Sequence, residues 1–499
     1  MTAREAYDRL VAHSQLTTHL SGGLSLLDWD QQVMCPAAAH AGRAEQIAAL
    51  TAIVHRRLTD PAIGDWLAAC EASSLTTDPM TPETANIRAW RRDYDQAVKV
   101  PEDLAVALAR EASAGQHAWE LARERDDFAA FAPHLSRLLA LCLEKASALG
   151  YAAEPYDALL DMFEPGETTA SVTPLLEAVR AATVPLVAAA SQVGPPPSLP
   201  PGPYPEDAQR DLAQRTMDVL GLPRQASRLD VSAHPFSTLI GPNDTRITTR
   251  FDTADFTVAL FGVVHETGHA LYSLGHAGAH YGTPMGEYVS LGVHESQSRL
   301  WENMVGRSLP FWEFFLPEAA ARFPALAGRT PTDVFRAVSA TVPGLVRVDA
   351  DETTYNLHII LRFELELALT RGELAVADLP EAWNAKSREL LGLTPPTNAL
   401  GVLQDVHWAT GAFGYFPTYA LGNIYAASLY AAARRALPDL DRDMAAGNFG
   451  GLLGWLRANV HAKGRLLAPR ELVAAATGET PTAGPLIAHL QDKAAAVYG

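Results

Sequence analysis

The chain has 499 residues, 48% of them hydrophobic, and a formal net charge of −18 at pH 7. That much apolar material excludes a disordered chain and can fill one large core or roughly two to four smaller ones. The acidic balance argues against nucleic acid or an anionic membrane as a partner, because binding phosphates needs clustered Lys and Arg.

The start, MTAREAYDRLVAHSQLTTHL, has no apolar core and no small-residue cleavage site, so no signal peptide is expected. Cys35, Cys70 and Cys142 are far apart and lack CxxC spacing, which suits a reducing cytosol. No apolar run is expected to reach the length of a membrane span, and the chain reads as cytoplasmic. Residues 40–72, 84–98, 102–126 and 132–150 are rich in Ala, Leu, Arg and Glu, with apolar positions three and four apart. That spacing predicts helices.

GPPPSLPPGPYPED at 194–207 cannot be helical, because each proline removes a donor and clashes with the preceding turn. It is expected to be a surface loop between an N-terminal helical layer, 1–193, and a catalytic helical region, 208–499, within one continuous structural domain. RLDVSAHPFSTLIGPNDTRITTRF at 228–251 alternates and has a GPND turn at its middle, which predicts two short antiparallel strands. Helices follow at 256–275, 287–307, 352–371, 420–436 and 483–497, and the aromatic run WEFF at 312–315 reads as helix packing. The expected fold is mostly α: one large helical protein with a small antiparallel sheet beside the site.

The 256–275 helix, FTVALFGVVHETGHALYSLG, has Asp255 or Thr253 to cap it and Gly275 to end it. His265 and His269 are one turn apart, so their imidazoles point the same way. Glu266 is offset by about 100°, close enough to hold a water without ligating a metal. This is the HExxH arrangement of zinc peptidases, with two neutral imidazoles on the ion and a glutamate as base. Gly268 leaves room for close packing. A third ligand is sought on the 287–307 helix, where Glu295 is favoured over Glu302 and His294. Two imidazoles and one carboxylate leave a coordination position open, the catalytic pattern. Such a set accepts Zn2+ first, with Co2+ or Mn2+ as alternatives.

Several ordered motifs resemble the carboxypeptidase Taq family: HPF at His234–Phe236, DTRIT at Asp244–Thr248, HETGH at His265–His269 and HESQ at His294–Gln297. VRVDAD at Val346–Asp351, GVLQDVHW at Gly401–Trp408 and GAFGYFPTYALG at 411–422 continue the series. DWDQQVMCPAAAHAGRAEQIAAL near the N-terminus looks like the family's opening segment, with Gln32 and Cys35 departing from it. The resemblance implies an almost wholly helical fold with a deep groove, similar to neurolysin and angiotensin-converting enzyme. It also implies a homodimer, a zinc or cobalt ion, and release of single C-terminal residues from peptides with broad specificity.

Peptide hydrolysis by this chemistry needs an activated water, a base, an oxyanion donor and a group that reads the free carboxylate. The ion lowers the pKa of water toward about 7. Glu266 is the base. His407 and Tyr419 are the oxyanion candidates, with Tyr415 as competitor and Asp405 as a possible orienter of His407. Arg347 is the first choice for the carboxylate and Arg246 the second, because a guanidinium bonds a carboxylate through two parallel donors. The bland alternatives are ion pairs of Arg347 with Asp349 or Asp351 and of Arg246 with Asp244. His234 and Tyr415 complete the substrate-binding candidates. The strand carrying Arg246 could also pair with an extended substrate backbone. Two other readings share the motif: an oligopeptidase cutting internally, and a non-catalytic helical metal-binding protein.

Overall fold

In the computed structural model, which describes residues 1–194 and 197–499, helices start where a capping side chain or a proline permits. Thr2 and Glu5 form a capping box on α1 (Ala3–Val33). The helix expected over 40–72 is two: α2 (His40–Leu58) and α3 (Pro61–Glu71). Asp60 caps the second by accepting from Ala62 N–H, and Pro61 stands where no backbone donor is needed. Then come α4 (Pro82–Lys99), α5 (Glu102–Arg125) and α6 (Phe128–Leu149). Asp127 caps α6, so it begins at Phe128 rather than 132.

α7 (Pro155–Asp161) and α8 (Thr169–Ala190) lead to the Pro-rich segment. That segment is irregular at 194 and 197–205. Pro195 and Pro196 lie outside the described residues, and α9 (Glu206–Leu220) starts inside the expected loop. α8 corrects one expectation: its 22 residues have a window of mean hydropathy 1.4, long and apolar enough to cross a membrane. In the structure it packs against later helices of the core.

The small sheet has three strands, not two: β1 (Ser227–Val231), β2 (Ser237–Gly241) and β3 (Asp244–Thr249), in the order β1-β3-β2. β2 and β3 form the expected antiparallel hairpin, with Asn243 at φ 58° in its turn. β1 pairs parallel to β3, with Arg228 opposite Arg246. Local alternation reads a hairpin well, but a parallel neighbour leaves no turn signature, so β1 merged with β2 in the sequence. β3 is therefore the middle strand with both edges taken, which removes it as a partner for a substrate backbone. α1 runs over β2, where Gly22 meets the Ile240 carbonyl with no room for a side chain.

α10 (Phe256–Gly275) follows, capped by Asp255 on Thr257 N–H. The helix expected at 287–307 begins only at Leu291, because Ser290 caps it, giving α11 (Leu291–Arg299). It continues as a π-helical segment, Leu300–Gly306. The remaining helices are α12 (Leu309–Arg322), α13 (Pro331–Val338), α14 (Glu352–Thr370), α15 (Leu379–Leu391) and α16 (Pro417–Ala436), then α17 (Leu440–Ala445), α18 (Gly450–Asn459), α19 (Pro469–Thr477) and α20 (Gly484–Tyr498). Trp312 and Phe315 of WEFF are fully buried, as packing residues should be.

Among the described residues, buried apolar side chains form two clusters. The larger runs from Ala122 to Val497 and draws on helices before and after the Pro-rich segment; α8 joins it by packing on α14 and α20. The smaller, built by Ala6, Tyr7, Leu10, Ile63, Leu67, Cys70 and Ile87, holds α1, α3 and α4 together. α10, α11, α14 and α16 pack in the larger cluster and carry the candidate site.

Candidate active site

α10 and α11 cross so that three side chains meet. Glu295 Oε2 lies 3.7 Å from His265 Nε2 and 3.5 Å from His269 Nε2. One donor atom from each residue falls within 4.8 Å of the others. Ligands about 2.1 Å from a tetrahedral ion stand roughly 3.4 Å apart, so the spacing fits a divalent metal.

The outer edges of the rings decide which nitrogens face inward. His269 Nδ1 is 3.1 Å from the His294 carbonyl, which can only accept, so Nδ1 carries the hydrogen. His265 Nδ1 is 2.9 Å from Glu302 Oε2. In both rings Nε2 faces Glu295, and a hydrogen on Nδ1 is the tautomer that offers Nε2 to a metal. Glu302 thus sits behind His265 and not among the converging atoms. His294 stacks its ring on His269 at 4.2 Å. Neither takes the place of Glu295.

Two glycines allow the helices to come this close. A methyl group at Gly268 would stand 2.7 Å from the Gln297 carbonyl on α11. One at Gly422 of α16 would stand 2.6 Å from Glu295 Cγ. α11 is therefore held between α10 and α16, with Glu295 against one of them.

The charges are organised by Arg299, one turn after Glu295. Its Nε donates to Glu295 Oε1 at 2.7 Å and its Nη1 to Glu302 Oε2 at 3.2 Å. Burial would raise both carboxyls. Arg299, helped by His265, instead holds Glu295 and Glu302 well below the usual carboxylate range. Glu266 differs. It is 6% exposed and makes no side-chain hydrogen bond or ion pair among the described residues. Burial raises its pKa, and His265 and His269 moderate the rise.

A second group of side chains adjoins the first through Tyr355 of α14, whose ring lies 4.1 Å from the Arg299 guanidinium. Arg347 Nη1 donates to the Tyr355 hydroxyl at 3.1 Å. Its Nε and Nη2 both donate to Asp405 Oδ1, at 2.9 and 2.8 Å. Arg362 of α14 donates through Nε to the other oxygen of Asp405 at 2.6 Å. The partner of Arg347 is thus Asp405, neither Asp349 nor Asp351. Asp351 caps α14, accepting from Thr353 and Thr354 N–H, and Asp349 is exposed. Asp405 also does not orient His407: both its oxygens bond arginines, and it makes no hydrogen bond to His407 among the described residues.

His407 Nε2 is 3.2 Å from the Tyr419 hydroxyl, and Tyr415 packs against both, at 5.1 Å from the His407 ring and 5.3 Å from the Tyr419 ring. Burial lowers His407 to about 4, with Asp405 opposing and Arg347 and Arg362 adding, so the ring is neutral at pH 7. Burial pushes Tyr415 up to about 12 and Tyr419 well above its ordinary value, so both keep their hydroxyl hydrogens. Behind them, buried Glu366 accepts from Tyr156 Oη at 2.7 Å, Trp408 Nε1 at 2.8 Å and Gly414 N–H at 3.1 Å. It pins the turn from which His407 and Tyr415 project.

Arg246 and His234 stand outside both groups. Arg246 is bound to Asp244, with two contacts of 3.2 Å, and lies 4.2 Å over the Trp29 ring. His234 is exposed and offers its carbonyl to Ser232 Oγ at 2.6 Å. Neither bonds to another candidate residue among the described residues.

The profile of the carboxypeptidase Taq (M32) metallopeptidases matches residues 9–494. The chain belongs to that family. Thermostable carboxypeptidase 1 of Thermus thermophilus is 47% identical, with all of both chains covered. Carboxypeptidase 1 of Bacillus subtilis is 36% identical over 96% of each. The M32 carboxypeptidase structure from Deinococcus radiodurans R1 is 39% identical and superposes with a TM-score of 0.96, covering 99% of this chain and 100% of that one. The fold is that of the M32 carboxypeptidases, and the activity is metal-dependent carboxypeptidase activity.

Within this M32 chain, the sequence alone did not point to Arg299, Tyr355, Arg362 or Glu366. The signals were present. Arg299 follows Glu295 by four on one helical face. Tyr355, Arg362 and Glu366 recur at seven and four on α14, a largely buried helix, where polar groups need a reason.

Proposed function

We propose that this M32 carboxypeptidase releases single residues from the carboxyl ends of peptides with broad tolerance for side chain. On this reading His265, His269 and Glu295 hold the divalent ion, Zn2+ ahead of Co2+ or Mn2+, and the chain acts as a homodimer. The observation that carries it is the convergence of two imidazole Nε2 atoms and one carboxylate oxygen, beside Glu266, which makes no ion pair among the described residues.

A divalent ion in this set supplies Lewis acidity, polarising a carbonyl and easing the ionisation of water. The chain's own groups do the rest. Glu266 takes a proton from the attacking water and returns it to the leaving amine. Its lack of ion pairs among the described residues and its raised pKa suit a group that must hold that proton in passing. Neutral His407 and the phenols of Tyr415 and Tyr419 are hydrogen donors for the oxyanion.

Asp405 and Tyr355 engage three of the five N–H donors of Arg347, which reads the substrate carboxylate through its charge and its remaining donors. One aspartate between two arginines leaves this enclosed region with a net positive charge, and low dielectric strengthens its pull on an anion. Arg246 and His234 receive no direct role here: one is spent on Asp244 and Trp29, and the other is an exposed loop side chain.

Mass spectrometry of a defined peptide incubated with zinc-loaded protein tests the reading. A ladder shortened from the C-terminus one residue at a time is the expected result, abolished when the same peptide is C-terminally amidated. Internal fragments from the amidated peptide would instead identify an oligopeptidase. Light scattering at micromolar concentration checks the dimer.

A further inference from the structure

α11 carries Glu295 yet has only nine residues, too few to be held in place by helical propensity. Its first N–H groups have no partners inside the helix. All three are met from outside. Leu291 N–H donates to the Phe163 carbonyl at 3.1 Å, and Gly292 N–H to Glu164 Oε2 at 2.8 Å. Val293 N–H donates to Ser290 Oγ at 3.0 Å, whose hydroxyl donates to Glu164 Oε1 at 2.9 Å.

Glu164 is wholly buried and makes no ion pair among the described residues. A carboxyl group in that setting is costly to bury unless its oxygens are bonded. Both are bonded here, and both bonds fasten the start of α11. Gly292 is what lets the carboxyl in: a methyl group there would stand 2.5 Å from Glu164 Oε2. Gly268 and Gly422 fix how far α11 stands from its neighbours, whereas the Glu164 clamp bonds its N-terminal end. The neighbouring Phe163 ring meets Tyr415 at 5.1 Å, so one short segment touches both groups of the site.

We propose that Glu164 is a positioning residue that sets where Glu295 stands, and through it how tightly the ion is held. The inference rests on Glu295 being a metal ligand. Supporting partners of this kind are typically worth about 10–100-fold in metal affinity.

The test is the zinc dissociation constant of the folded full-length chain, measured by chelator competition, beside the melting temperature of the metal-free chain. Glu164→Leu is expected to bind zinc about 10–100-fold more weakly. Glu164→Gln keeps an oxygen for Gly292 N–H and should restore affinity to within about tenfold of the original, as one retained partner would. A lower melting temperature with unchanged zinc affinity in Glu164→Leu would mean a role in stability alone, and overturns the proposal. Should that variant not fold, Ser290→Ala, which removes one arm of the clamp, takes its place: weaker zinc binding supports the proposal and unchanged binding overturns it. Glu295→Gln separates the two levels. If it leaves zinc affinity intact, the ligand reading fails and this inference with it. If it weakens zinc strongly while Glu164→Leu does not, only the inference about Glu164 fails.

Discussion

The two halves of the site are built in opposite ways. The metal half sits on two regular helices, with His265, Glu266 and His269 within five consecutive residues and Glu295 on the next helix. The other half gathers Arg347, Tyr355, Arg362, Asp405, His407, Tyr415 and Tyr419 from four stretches of chain, three of them starting in loops or short turns. Helical spacing aims the ligands of the first half, with the Arg299 ion pairs as support, whereas the second half has only buried ion pairs and phenol contacts to bring its residues together. Where geometry comes from helical repeat, single substitutions should separate chemistry from structure. Where it comes from a charge network, they should not.

Glu266→Gln gives the clearest case and the largest effect. Turnover is expected to fall by about 10²–10⁴, the range of a lost general base, while zinc content by elemental analysis stays stoichiometric and the melting temperature changes little. Loss of zinc together with activity would remove Glu266 from the base role.

Arg347→Met should behave differently, because it touches the network. The specificity constant for free-carboxylate peptides is expected to fall by roughly 10²-fold, with the melting temperature falling too. Asp405 keeps only Arg362, and breaking a buried pair costs about 3–5 kcal/mol. An unchanged specificity constant in a destabilised protein would leave Arg347 a purely structural residue.

Gly422→Ala probes the packing behind the metal half. The added methyl group would meet Glu295 Cγ at 2.6 Å, so zinc should bind about 10–100-fold more weakly, as chelator competition would show. Unchanged affinity would mean that α16 yields and does not fix Glu295.

The smallest effect on turnover is expected at the seam between the halves. Glu352, at the start of α14, is paired with His489 and Lys493 of α20, and Lys493 also bonds the Asn303 carbonyl beside Glu302 at 2.9 Å. Against burial, Lys493 and His489 lower Glu352 to about 2. A depressed carboxylate contributes stability above its unfolded pKa and loses it as pH falls through the folded value. The gap in unfolding free energy between the natural chain and Glu352→Gln should therefore be fully open above about pH 5 and close by about 1–3 kcal/mol toward pH 2. Denaturant titrations at several pH values measure it, and a gap independent of pH would show that the pair contributes nothing.

The same contrast explains what could be read from the amino acids. Periodicity gave the helices, and a spacing of four gave the two imidazoles of α10, because a helix turns that spacing directly into a shared direction. Ordered motifs gave the family and hence the activity. Boundaries were missed where one side chain decides them, as at Asp60 and Ser290. β1 was missed because its partner is parallel, so no turn joins the two.

Tertiary structure alone decided which acid serves which purpose. Glu295 and Glu302 are seven apart on one face, and only the way α11 crosses α10 places one among the imidazole nitrogens and the other behind His265. Arg347 stands beside two aspartates in sequence yet pairs with Asp405, 58 positions on. Buried charge makes that choice: an enclosed guanidinium requires a carboxylate where the packed chain supplies one, and sequence neighbours already used to cap a helix or face water cannot provide it.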